Sequence, residues 1–152
     1  MTTLAKANTD QLAALIAAKL QLVEILGRLG RQQLALIDAS DMTGLVKLLA
    51  AKQTVLAQLQ LVERQLDPFR NEDPDQRRWP TATQREQCQS QAERCNTLLA
   101  EAIELEKQGE AAMVRRRDAT AAVLASAQTA SEARSAYASG TDIGPLNLQV
   151  EG

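Results

Sequence analysis

LVKLLAAKQTVLAQLQLVERQL, residues 45–66, is the stretch that decides the fold. Leu45, Leu48, Lys52, Val55, Leu59, Val62 and Leu66 recur in it at alternating steps of three and four, and no Gly or Pro interrupts them after Gly44. That spacing places one side chain per turn on one face of an α-helix. Residues 43–66 are therefore expected to form a helix that needs partner helices.

On its N-terminal side, Ser40-Asp41-Met42-Thr43-Gly44 reads as a break. Ser40 and Asp41 are good caps, and the Asp41 carboxylate complements the dipole of the helix that follows. Before the break, Leu12, Leu15, Ile16, Leu22, Val23, Leu26, Leu29, Leu34 and Ile37 give a wide apolar stripe to a helix expected over residues 12–39, with Asp10 as its N-cap. Gly27 and Gly30 lie inside it, each costing about 1 kcal/mol relative to Ala. The apolar phase resumes at Leu34, so the helix is expected to continue through them, the glycines marking either close approach of a neighbouring helix or a kink. A connection this short makes the two helices antiparallel neighbours.

On its C-terminal side the character changes. Residues 67–83 hold Pro68, Pro74 and Pro80 with Asp67, Glu72, Asp73 and Asp75, and are expected to end the helix and form a crossover of about 15 residues. Phe69 and Trp79 are expected to pin that loop against the end of a bundle. Thr83 with Glu86 reads as a capping box. A third helix is expected over residues 84–137, on the order of 80 Å long, against about 45 and 35 Å for the first two. It is too long for the hairpin it must pack on, so part of it is expected to project, bend or meet a partner. Cys88, Ala92, Cys95, Leu98, Leu99, Ala102, Ile103 and Leu105 form its core stripe. After Gly109 the stripe thins to Ala112, Met113, Ala119, Val123, Leu124, Ala127 and Ala130, small residues that each bury little area. That half is the candidate binding surface. Arg115, Arg116 and Arg117 face three directions and read as solvated. The helix is expected to end at Ser139-Gly140, leaving residues 141–152 as a flexible tail carrying Ile143, Leu146, Leu148 and Val150. The expected fold is all-α: an elongated antiparallel three-helix bundle or coiled coil with a long C-terminal helix, a single helical domain over residues 1–140.

Composition narrows the function. Of 152 residues 45% are apolar but only 2% aromatic, and the chain has no His. Bulky rings are too scarce for an ordinary globular core, whereas Ala, Leu, Gln, Glu and Arg suit thin helices packed side by side. Without His, neither a Ser-His-Asp nor a Cys-His pair can be built. Glu101, Glu104, Glu106 and Glu110 read as a solvated face rather than metal ligands. No catalytic residue, cofactor or metal is expected. The net charge of −2 argues against a nucleic-acid partner. No run of 18 apolar residues is seen, so no membrane insertion is expected. The first ten residues do not read as a signal peptide, and a cytoplasmic location is expected. Cys88 and Cys95 lie on one helix face about 10 Å apart, too far for a disulfide, and read as small buried apolar residues.

Residues 33–59 resemble the first hairpin of FlgN-type flagellar type III export chaperones, in which a Leu- and Gln-rich helix ends near an acidic turn and a Leu-x-x-Leu-Leu-x-x-Lys-x-x-Leu-x-x-Leu helix follows. Leu45, Leu48, Leu49, Lys52, Val55 and Leu59 match that pattern. The resemblance runs on through residues 95–106 to Tyr137 and Gly140, similar to the Tyr-x-x-Gly end of the family's last helix. It implies binding rather than catalysis: a chaperone of hook-associated proteins of the FlgK and FlgL type, holding their helical C-terminal end on its own C-terminal helix. The residues it points to are Ala112, Met113, Arg116, Ala119, Thr120, Val123, Leu124, Ala127, Ala130 and Tyr137. By the same resemblance Tyr137 would touch the export-gate protein FlhA, and the chaperone would be a monomer or weak homodimer. The alternative is a self-associating structural coiled coil with no export role.

Overall fold

Three α-helices and one short 3-10 turn follow in chain order: α1 Thr2–Asp38, α2 Met42–Arg70, the 3-10 turn Pro74–Gln76, and α3 Ala82–Glu151. This computed structural model describes residues 2–151, with side chains described for residues 8–139. The all-α helical fold with a long C-terminal helix is as the periodicity predicts. The chain divides into two compact units, Met1–Ala112 and Met113–Gly152.

In the first unit the break between α1 and α2 is closed by backbone hydrogen bonds. Asp41 N–H donates to Leu36 C=O at 2.9 Å and Ser40 N–H to Ile37 C=O at 3.0 Å. These two bonds satisfy carbonyls that the end of α1 leaves open. Ser40 sits at φ 56°, in the left-handed region usually given to Gly. Asp41 then caps α2, accepting from Gly44 N–H at 2.9 Å, as its position predicts.

The turn folds α2 back along α1, and α3 lies against both, running in the direction of α1. Leu12, Leu66, Phe69 and Cys88 meet in one core cluster, with Leu15, Ile16, Val62 and Trp79 packed on it. Ile37, Leu45 and Ala112 meet in a second. All seven stripe positions of α2 are buried or half-buried. Between the clusters a Cβ added to Gly30 would stand 3.1 Å from Leu105 Cβ, so this glycine lets α3 approach α1 closely, whereas Gly27 has only its own helix's Arg31 side chain nearby. α1 continues through both. Cys88 and Cys95 are free and buried. Burial pushes both thiols up, against smaller opposite pulls from Arg77 on Cys88 and Lys19 on Cys95.

Polar groups also tie the unit together. Lys52 donates to Gln33 Oε1 at 3.2 Å and pairs with Glu106, joining α2 to α1 and α3 in one layer. Glu106 is thus half-buried and paired, a correction to the solvated face read for Glu101, Glu104, Glu106 and Glu110, of which the other three are exposed. Lys19 pairs with Glu63 at 2.8 Å across α1 and α2. Ile103, read as core, is 52% exposed, because Ala102 and Leu105 take the inward positions of that turn.

Element ends differ from the sequence reading. α1 begins at Thr2 rather than near Asp10. α2 passes through Pro68 to Arg70, because Phe69 is held in the core cluster and Arg70 pairs with Glu63 and Asp67. A proline forfeits one helical hydrogen bond, an affordable loss in a last turn fixed by such contacts. Phe69 and Trp79 do anchor the crossover, though Phe69 does so from α2. Thr81, not Thr83, caps α3, accepting from Gln84 N–H at 3.1 Å. α3 is helical through Ser139 and Gly140 to Glu151, since Gly weakens a helix by about 1 kcal/mol without forbidding it. The side chains of residues 140–152 lie outside the described residues, and with them the expectation of a flexible tail.

α2 is also long and apolar enough to cross a membrane, with a window of mean hydropathy 1.2 of which 11% is buried. The segment is not an unbroken apolar run, since Lys47, Lys52, Gln53, Gln58 and Gln60 interrupt it. Lys47 and Lys52 lie on it, and each would cost about 2.5–3.5 kcal/mol at a bilayer centre.

Candidate partner-binding surface

The residues singled out by sequence separate at the boundary of the two units. Ala112 is 4% exposed and belongs to the core cluster with Ile37 and Leu45. It is removed from the surface, because the turn of α3 that carries it is the last one packed in the first unit. The others lie in the second unit. Met113 is 38% exposed, Val123 68%, Leu124 64% and Tyr137 81%. Arg116, Ala119, Thr120 and Ala127 are exposed and Ala130 is half-buried.

At 100° per residue, Met113, Arg116, Ala119, Thr120, Val123, Leu124, Ala127, Ala130 and Tyr137 fall within an arc of about 140° on α3. They form one face, as the 3-4 spacing predicts. Arg134 lies near the middle of that arc, on the same side as Arg116 but about five turns further along, and was not read as part of the site. Its signal was available: it stands four residues past Ala130 and three before Tyr137. The two acids of residues 113–139, Asp118 and Glu132, lie on the opposite side. Asp118 is 3.5 Å from Arg117, and Gln128 donates to Glu132 at 3.3 Å, so both are engaged away from the apolar face. The face is therefore basic and apolar, free of carboxylates among the described residues.

Tyr137 stands within a continuous helix rather than at a frayed end, because α3 runs past Gly140. The surrounding surface is mostly methyl groups of Ala, which cost little to expose and lose little rotamer freedom when covered. Such a face suits an incoming helix laid along it with its own apolar stripe.

Beyond this surface, the first unit has a cavity at its crossover end, bounded by α1, the 3-10 turn and the start of α3. The sequence reading missed it, since its walls come from three separated segments. Compared with protein-family models, with characterised proteins and with solved structures, the chain matches none.

Proposed function

We propose that this chain is a cytoplasmic flagellar export chaperone of the FlgN type. It binds hook-associated proteins of the FlgK and FlgL type on α3 and keeps them export-competent for the flagellar type III secretion apparatus. The observation that carries the reading is the exposure of Val123 and Leu124, at 68% and 64%, on one face with Met113. Fully burying such side chains under a partner helix supplies about 1.5–3 kcal/mol each. Arg116 and Arg134 on that face favour a partner stripe flanked by acids, an attraction that weakens with salt. The order of hairpin, Pro-containing crossover and long third helix also supports the family resemblance. The protein works by contact and without a cofactor, and Tyr137 serves a second contact, with the export gate.

Co-expression with a tagged FlgK- or FlgL-type protein tests this. The wild-type chain is expected to co-purify with it, and a Val123→Asp, Leu124→Asp double variant of unchanged melting temperature is expected to be lost. Retention of the double variant would sink the reading.

A second reading, a self-associating coiled coil without an export role, is favoured by Val46, Leu49 and Leu61, exposed at 67%, 40% and 55% on α2. It predicts a stable oligomer in sedimentation equilibrium that the Val123/Leu124 double variant leaves intact.

A further inference from the structure

We propose that the cavity at the crossover end of the first unit binds a small apolar carboxylate, its hydrocarbon body against Trp79 and Cys88 and its carboxylate on the Arg77 guanidinium. The cavity holds about 430 Å³, at the small end of the range for small-molecule sites. Its floor is apolar and firmly held: Leu12 and Cys88 are buried members of a core cluster, and Trp79 packs against that cluster. Ala92 leaves room where a larger side chain would fill it.

The rim supplies the charge. Arg77 and Arg85 line the cavity together with one acid, Asp75. Arg77 is the better placed, its side chain only 19% exposed. One of its terminal nitrogens donates to the Phe69 carbonyl. Its Nε is buried and has no hydrogen-bond partner, and the nearest paired carboxylate, Glu72, stands 3.7 Å from it. A carboxylate is the planar group that a guanidinium binds through two parallel bonds. Arg77 also lines a neighbouring cavity of about 320 Å³ beside Phe69. A phosphate would find too few donors here and would leave the apolar floor uncovered. A hydrocarbon acid uses both halves of the site. The carboxylate can belong to a free acid or to the last residue of a peptide. The proposal does not rest on the reading of α3 as a chaperone surface.

Trp79 is the only tryptophan of the chain, so its fluorescence reports the cavity directly. The full chain is titrated with 4-phenylbutyrate, with the neutral 4-phenylbutyramide, and with a tetrapeptide ending in phenylalanine, its C-terminus free or amidated. A saturable change with a carboxylate is expected, at least tenfold weaker with the matching amide. Response to the free acid alone assigns the site to a small acid, and response to the free peptide terminus as well assigns it to a chain end. Arg77→Gln is expected to weaken binding at least tenfold, and Ala92→Leu, which fills the floor while keeping both arginines, to abolish it. No saturable change with any carboxylate overturns the proposal. So does an equal response to acid and amide, a comparison that needs no variant to fold, or wild-type binding by a folded Ala92→Leu.

Discussion

Leu66 and Leu56 sit ten residues apart on α2 and differ in what surrounds them. Leu66 is 4% exposed among Leu12, Phe69 and Cys88, whereas Leu56 is half-buried. Leu66→Ala is expected to destabilise the first unit by about 2–5 kcal/mol and Leu56→Ala by well under half of that, read from urea midpoints. The sequence marks both as apolar, but only the positions in phase with Leu45 and Leu48 reach the core. Glu63 contributes to the acid sensitivity. Burial by itself raises its carboxyl, but hydrogen bonds from Lys19 and Arg70 outweigh that and hold it below the ordinary value. A carboxyl lowered on folding contributes stability that is complete above its unfolded value of 4.5 and is lost as pH falls through the folded value. The drop in urea midpoint between pH 7 and pH 3 is therefore expected to be smaller in Glu63→Gln than in the wild type.

At the scale of elements, the hairpin is the most legible part. Its helices follow from apolar periodicity, its turn from Ser40 and Asp41, and its direction from the shortness of that turn. Ser40 adopts a conformation that costs L-residues roughly 1–2 kcal/mol. Glycine would remove that cost while adding freedom to the unfolded chain. Ser40→Gly is accordingly expected to stabilise by a few tenths to about 1 kcal/mol, visible as a small rise in melting temperature. A fall would mean that the Ser40 side chain, not the backbone, matters there. The placement of α3 was less legible. It rests on Gly30 meeting Leu105 and on Lys52 joining Gln33 to Glu106, contacts between residues tens of positions apart that no local period encodes. The ends of α2 and α3 shifted for the same reason: Phe69 is held by the core beyond a proline, and Thr81 outcompetes Thr83 as the cap.

At the scale of the whole molecule, the thinning of the apolar face after Gly109 was readable as a change from Leu to Ala, and Ala112 is the last buried residue along the chain among those described. The charge of that face was legible from helical phase, which sets Arg134 on the side of Arg116; what the sequence hid was the cavity beside Trp79. Tyr137, 81% exposed, is expected to tolerate alanine with a melting temperature within about 1 °C of the wild type, because exposed substitutions fall within about 0.5 kcal/mol. Pull-downs with that variant should retain the hook-associated protein and lose the export gate. The central claim is that residues 113–137 are the partner surface, and amide hydrogen exchange tests it most directly. In the free protein these amides should exchange faster than those of residues 45–66, and a FlgK- or FlgL-type protein should slow them selectively. Equal protection in the free chain, or protection on binding that falls on residues 45–66 instead, would contradict it.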